Sequence, residues 1–290
     1  MIREFHYRLP WRARGHLPGY HSGTQPGTGF EFRGHSPLLA SPDPRRLDVR
    51  ASLSDPFGQW LVRVFNQRAS VPVYLVADVT GSMGFAGHHR KLEVLADLAA
   101  CLGYSAWRTG DPFGFIGFDR EVRRDLHVPL TRLRGAGPDL GRRLRALASL
   151  GKSADGVLDA HRFLGRSRSL VFLASDFHFP LQLTARALTS LATHDVVPVV
   201  LWDPAEYRHL PRFGLVRLRD PETGREQTLL LRSRLRQRIA EAFAERREKL
   251  VALFTRSGRP PLFLEHGFDP DRLTSYFFRG WTVEAGAHVA

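Results

Sequence analysis

Cysteine, lysine and long apolar runs are all scarce in this sequence of 290 residues. The single cysteine, Cys101, excludes an intramolecular disulfide and any metal site built from several thiolates. No apolar run approaches the roughly 20 residues that a membrane-spanning helix needs. The first residues, "MIREFHYRLPWRARG", also lack the apolar core of a secretion signal. We therefore predict a cytoplasmic protein without a membrane span.

The basic residues are almost all arginine. Only three of the 42 basic residues are lysines, and the formal net charge is +13. Basic residues that cluster would favour nucleic acid, because they neutralise phosphates. Here the arginines are spread over every segment, and the sequence carries no recognition-helix, basic-aromatic or zinc motif. We therefore do not expect a nucleic-acid partner, and an acidic protein or a membrane surface fits the charge as well.

Apolar strands alternate with amphipathic helices from Val71 onward. The runs "VPVYLVA", "FGFIGF", "LVFLAS" and "VVPVVLW" are typical of buried strands, and "REVRRDLHV" is typical of an exposed antiparallel edge. Helices are predicted between them, one beginning behind Ser153 as its N-cap. This order predicts an α/β fold with a doubly wound, mostly parallel sheet and helices on both faces.

The two ends of the chain follow a different pattern. Residues 1–68 are predicted as an N-terminal extension that packs on the main domain. About the first 50 are rich in Gly and Pro without a sustained period, which predicts extended chain and turns, and "GQWLVRVFNQR" alternates like a short strand. Residues 69–290 form that domain. Its C-terminal part is predicted as a β-hairpin about a Pro-Glu-Thr-Gly turn, followed by a long amphipathic helix.

Oxygen-bearing side chains follow the predicted strands at the points where these end. Asp78 ends the first buried strand, and Thr80 and Ser82 face the same way because alternate residues of extended chain share a side. Ser153 and Asp176 come from loops that should reach the same edge of the sheet. Carboxylates and hydroxyls suit Mg²⁺ or Mn²⁺. The sequence therefore predicts a site for one such ion, short of negative charge and open to a carboxylate from outside.

Aromatic and histidine side chains flank these oxygens. Exposed aromatics next to a site are typical of a protein interface, although either phenylalanine after Asp176 could instead cover the core. Adjacent histidines rarely converge on one ion, so we do not expect zinc. The residues predicted to contact a partner are Phe85, His88, Phe177, His178 and Phe179.

The segment "DVTGSM" at residues 78–83 resembles the Asp-x-Ser/Thr-x-Ser motif of von Willebrand factor A domains. Their metal-ion-dependent adhesion site adds a threonine and an aspartate from two later loops. The resemblance implies the ligand set Asp78, Thr80, Ser82, Ser153 and Asp176. Thr80 stands where serine is commoner and Ser153 where threonine is expected, and both keep a hydroxyl.

Residues 40–280 resemble the bacterial subfamily of such domains encoded beside MoxR-type AAA+ ATPases. The resemblance lies in "SPDPRRLDVRAS", in "WLVRVFNQRASVPVYLVADVTGSM" and in "VRLRDPETGRE" before an arginine-rich helix. It implies a chaperone-like pair with such an ATPase and a client protein that offers an Asp or Glu. The length and opening also resemble the accessory protein of methanol-oxidation gene clusters, which implies methanol dehydrogenase as the client.

We therefore expect a non-catalytic adaptor that depends on a divalent ion, and not an enzyme. The alternative is a phosphatase like the haloacid dehalogenases, because "DVTGS" also resembles the phosphorylation loop of P-type pumps. In that case Asp78 would be the nucleophile beside Mg²⁺. Thr80 stands where the common phosphatases of that class carry a second acid. A scaffold on nucleic acid is the third interpretation.

Overall fold

The computed structural model describes residues 4–13, 17–27, 31–147, 151–208, 214–219 and 226–278. The chain divides into two compact units. One runs from Arg8 to Val71, and the other joins the residues up to Tyr7 with those from Pro72 onward. How the N-terminal extension packs on the main domain stays a prediction. Among the described residues, no helix has both the length and the apolar character to cross a bilayer.

The unit from Arg8 to Val71 is a small antiparallel sheet. Strands β1 (Pro18–Gly27) and β2 (Glu31–Pro37) pair on either side of β3 (Leu61–Ala69), and the short helix α1 (Val49–Leu53) precedes β3. The sequence predicted the short strand that is β3, but only extended chain and turns before it. Both missed strands lie at the edges, where Gly and Pro are tolerated because one side of an edge strand needs no ladder partner.

The second unit is built on a sheet of six strands in the order β11-β8-β7-β4-β5-β6. All neighbouring pairs are parallel except β5 and β6, which are antiparallel. The predicted α/β class, the mostly parallel sheet and the antiparallel edge strand are confirmed. The strands are β4 (Val73–Asp78), β5 (Phe113–Phe118), β6 (Val122–Thr131), β7 (Leu170–Ser175), β8 (Asp195–Leu201) and β11 (Leu262–Leu264).

The central strands are buried because helices cover both faces of the sheet. Every residue of β4, β5 and β7 is buried, as parallel strands covered on both sides require. Helix α2 (Lys91–Arg108) contacts β4, β5 and β8 and packs on α3 (Ala136–Arg145). On the other face, alternate strand residues such as Val76 share a core with residues of α4 (Leu181–Ser190) and α5 (Ser233–Arg256).

The remaining elements complete the C-terminal part. Strands β9 (Gly214–Arg219) and β10 (Glu226–Leu231) form the predicted antiparallel pair, and α6 (Pro270–Phe278) follows β11. The Pro-Glu-Thr-Gly turn between β9 and β10 lies outside the described residues.

The helix predicted behind Ser153 is a 3₁₀ stretch, Asp155–Phe163, and Ser153 is not its N-cap. Gly156 explains the tighter winding. Its N–H donates to the Asp119 carbonyl at 2.9 Å, and a Cβ added there would lie 2.5 Å from the Glu121 backbone. The packing against this loop therefore fixes the local path of the chain.

The N-terminal segment of the described chain is part of the second unit. Phe5 is 1% exposed, and its ring lies 6.0 Å from Phe172 and 6.3 Å from Phe277, centroid to centroid. The backbone N–H of His6 donates to Thr274 Oγ1 at 3.1 Å. The unit from Arg8 to Val71 is therefore an insertion in the chain of the α/β unit.

Candidate functional site

The candidate site lies where the order of the sheet reverses. From β4 the chain passes to β5 on one side and later returns to β7 on the other side. Ligands of open α/β sheets bind beyond the carboxyl ends of the strands at such a point. Asp78 is the last residue of β4, and Asp176 directly follows β7, so the topology brings the two acids to the same crevice.

Asp78 is fully buried, and both of its carboxylate oxygens accept hydrogen bonds. Oδ1 accepts from the Thr80 N–H at 2.8 Å, and Oδ2 accepts from the Ser175 hydroxyl at 2.6 Å. Burial and then the negative charge of Asp176 raise the pKa of Asp78 to about 7. Burial therefore favours the neutral form of this carboxyl, and a cation bound beside it would favour the charged form.

Asp176 is also buried, but it has a cationic partner. Its Oδ2 lies 2.9 Å from Lys91 Nζ, and its Oδ1 accepts from the His178 N–H at 3.2 Å. Burial alone would raise the pKa of Asp176. The positive charge of Lys91, followed by that of His178, outweighs this effect, and the pKa falls to about 2.

Two hydroxyls connect the acids. Thr80 is 1% exposed, and its Oγ1 lies 3.2 Å from Ser82 Oγ, in the 3₁₀ turn that follows β4. A hydrogen bond from Ser82 further lowers the pKa of Asp176. The structure thus brings together four of the five predicted oxygen ligands, namely Asp78, Thr80, Ser82 and Asp176.

Ser153 makes a different contact. The start of its loop reaches the site, because the Gly81 N–H donates to the Gly151 carbonyl at 2.7 Å. The Ser153 hydroxyl itself donates to Asp155 Oδ2 at 2.7 Å. The loop is therefore in place, while the predicted ligand atom is engaged by its own neighbour in the chain.

The five predicted partner-binding residues differ in exposure. Phe85 and His178 are exposed and Phe179 is half-buried, and the His88 side chain is 50% exposed with Nδ1 3.0 Å from Asp203 Oδ1. Phe177 is fully buried, and its ring meets that of Phe254 edge-on at 5.0 Å. Phe177 therefore serves the core, which is the alternative that the sequence left open.

Phe177 also holds an unusual backbone conformation. Its φ is 51°, in the left-handed region that is rare for a bulky residue. The Phe177 N–H donates to Ser175 Oγ at 2.9 Å, and its carbonyl accepts from Arg246 of α5 at 2.5 Å. Such strain persists where the surroundings overdetermine it. Here it turns the chain directly after Asp176 and fixes that carboxylate.

Sequence reasoning missed three polar residues of the site. Ser175 bonds Asp78, and Glu206 Oε1 lies 2.7 Å from Lys91 Nζ. Lys91 did carry a signal, because a lysine at the first position of a helix opposes the helix dipole. In a chain with three lysines, that placement indicates a specific partner.

The described residues hold no cluster of three or more His, Cys, Asp and Glu side chains that could bind a metal ion. The oxygens gathered here belong to two carboxylates and two hydroxyls, a different donor set. They fit a small hard ion in chemistry. They also fit it in charge, because two of the four donors, Asp78 and Asp176, are carboxylates.

The family described as "Protein of unknown function DUF58" matches residues 43–249. The chain belongs to the DUF58 family. This DUF58 protein is 26% identical over 276 residues to an uncharacterized protein of Mycobacterium bovis, covering 91% of this chain and 83% of the relative. It is 35% identical over 99 residues to an uncharacterized protein "in moxR 3'region" of Paracoccus denitrificans, covering 34% of this chain and 94% of the relative.

Among solved structures, the DUF58 protein is similar to the conserved hypothetical protein BatB of Bacteroides thetaiotaomicron. The TM-score is 0.44 at 13% identity, covering 70% of this chain and 94% of that one. A likeness this distant says nothing about function.

Proposed function

We propose that this DUF58 protein is a non-catalytic adaptor that binds one Mg²⁺ or Mn²⁺ ion and uses it to hold a carboxylate of a partner protein. The observation that carries the proposal is the pair of buried acids, Asp78 and Asp176, at the reversal point of the sheet with two hydroxyls between them. This arrangement supports the resemblance of "DVTGSM" to the adhesion motif of von Willebrand factor A domains.

Four side chains would hold the ion: Asp78, Thr80, Ser82 and Asp176. When bound, the ion would supply an open coordination position for an Asp or Glu from outside. Hydrogen bonds from Thr80 N–H and from Ser175 orient the Asp78 carboxylate. The exposed side chains of Phe85 and His178 border the crevice and offer an apolar and a polar contact to the partner.

The burial of Asp78 favours binding over the phosphatase alternative. A carboxylate nucleophile must reach the phosphorus atom of its substrate. Asp78 is 0% exposed and both of its oxygens accept hydrogen bonds. Its carboxylate is therefore held in one orientation, which suits a ligand of an ion better than a nucleophile.

The partner that we propose is a MoxR-type AAA+ ATPase, acting with this protein on the maturation or metal loading of a client. The Paracoccus relative in a moxR 3' region supports this association. The resemblance of residues 40–280 to the subfamily encoded beside MoxR-type ATPases supports it as well. The role of methanol dehydrogenase as the client stays a prediction.

Calorimetric titration of the full chain with Mg²⁺ and Mn²⁺ tests the ion. We expect millimolar or tighter binding that Asp78→Ala abolishes. Asp139→Ala, at an exposed acid of α3, is the matched control and should bind like the native protein. Heat changes that are absent, or that are the same in Asp78→Ala, would reject the ion site.

Affinity purification with a MoxR-type AAA+ ATPase from the same organism tests the partner. Capture should require Mg²⁺, disappear in EDTA, and disappear in both Asp78→Ala and Asp176→Ala. Equal capture by the native protein and both variants would reject a role for this site in partner binding.

A further inference from the structure

The candidate site contains a buried lysine. Lys91 is the first residue of α2, and its side chain is 3% exposed. Its Nζ lies 2.9 Å from Asp176 Oδ2 and 2.7 Å from Glu206 Oε1. A buried ammonium group is costly unless carboxylates compensate it. The two carboxylates together compensate this cost in the structure.

The two acceptors of Lys91 have different surroundings. Asp176 belongs to the oxygen set described above, in which it and Asp78 are the two carboxylates that would bind an ion. Glu206 lies in the 3₁₀ turn Pro204–Glu206, where its Oε2 accepts from the Asp203 N–H at 3.1 Å in a capping box. Glu206 is thus held by the backbone of its own turn, and His178 Nε2 lies 3.4 Å from its Oε1.

The turn that carries Glu206 is anchored at a second point. Asp203 accepts hydrogen bonds from the Ala205 N–H at 2.7 Å and the His89 N–H at 2.9 Å. His89 lies two residues before Lys91, so this contact ties the turn to the start of α2. Glu206 can therefore keep the ammonium close to its present position if Asp176 turns to another cation.

We propose that Lys91 is a built-in competitor of the divalent ion. The inference rests on the proposed function, and it assigns to Lys91 and Glu206 the control of ion affinity at that site. Without an ion, the ammonium balances the charge of Asp176 and holds its carboxylate. When an ion binds, Asp176 turns to it and Glu206 keeps the ammonium.

Two substitutions with opposite expected effects test this proposal. Lys91→Met keeps the length of the side chain and removes the positive charge that repels an incoming cation, so Mg²⁺ should bind about tenfold more tightly or better. Glu206→Gln leaves the ammonium to Asp176 alone, so Mg²⁺ should bind more weakly. A purely structural role predicts the same direction for both variants, because each one breaks the same buried pair.

The readout is the Mg²⁺ dissociation constant of the full chain by calorimetry, with folding checked by circular dichroism. Arg90→Met is the matched control, since it removes an exposed positive charge one residue away and should change the affinity little. If Lys91→Met does not fold, Lys91→Gln, which removes the same charge and keeps a polar group beside Glu206, takes its place with the same expected result.

The outcomes separate this inference from the proposed function. Binding by Lys91→Met that is equal to or weaker than that of the native protein overturns the inference, and so does equal or tighter binding by Glu206→Gln. If native protein binds Mg²⁺ and Asp78→Ala does not, such a result leaves the proposed function in place. Absence of Mg²⁺ binding by the native protein overturns both.

Discussion

Replacing Asp78 with asparagine should stabilise the ion-free protein at alkaline pH. Burial and the neighbouring Asp176 raise the pKa of Asp78 to about 7, so the folded protein binds this proton more tightly than the unfolded chain does. The free energy of unfolding therefore falls as pH rises from about 4 to about 7, by at most about 4 kcal/mol. Asparagine carries no charge at any pH, so the variant does not lose this free energy of unfolding as the pH rises.

The gain is smaller than the full electrostatic effect. An amide nitrogen in the place of Oδ2 cannot accept the hydrogen bond that the Ser175 hydroxyl donates. The loss of this bond costs about 1 kcal/mol. Lys91, whose Nζ lies 2.9 Å from Asp176 Oδ2, also offsets part of the negative charge that acts on Asp78. We expect Asp78→Asn to be more stable than the native protein by about 2 kcal/mol at pH 8, a rise in Tm of about 5 °C, and no more stable at pH 5, where Asp78 is already protonated.

Thermal unfolding in EDTA at both pH values measures this difference. Asp139→Asn, at an exposed acid, is the control and should show no pH-dependent gain. Adding Mg²⁺ should reverse the order at pH 8, because only the native protein gains ion-binding energy. A difference between Asp78→Asn and the native protein that is the same at pH 5 and pH 8 would refute the reasoning.

Three further substitutions probe the scaffold of the site. Phe5→Ala should lower the free energy of unfolding by about 3–5 kcal/mol in a urea titration, because it empties a fully enclosed ring position; a loss below about 1 kcal/mol would contradict that packing. Gly151→Ala should destabilise the protein and weaken Mg²⁺ binding, since the new Cβ would lie 2.2 Å from the Cβ of Asp119. Gly165→Ala should do neither, because the nearest atom to its new Cβ would be 3.7 Å away. Equal Tm values for the two variants would be inconsistent with the clash. Ser153→Ala should leave the Mg²⁺ dissociation constant unchanged, because the hydroxyl already donates to the neighbouring aspartate, and a large loss of affinity would restore this serine to the ligand set.

The strand ends were predictable from sequence because they follow from local pattern and topology. A buried run that stops at Asp78, and another that stops before Asp176, are both visible in the letters, and parallel strands align their carboxyl ends. The strands β1 and β2 were not predictable in the same way, since their partner β3 is distant in sequence and Gly and Pro mask their alternation.

The charges around Asp176 needed the tertiary structure. Lys91 precedes Asp176 by 85 residues and Glu206 by 115, and no periodicity links side chains over such distances. The 3₁₀ form of the stretch behind Ser153 also follows from a neighbouring loop, because Gly156 must pass close to the backbone of Glu121. Helical period alone does not distinguish a 3₁₀ winding from an α-helix at this length.

The N-terminal segment has a consequence for how the protein is made. Phe5 is synthesised well before Phe277, the residue on which it packs. Residues 8–71 form a compact unit of their own and can close while synthesis continues, as domains generally fold in units. The α/β unit must wait for α6, so Phe5 meets this packing partner only after residue 277 has been made.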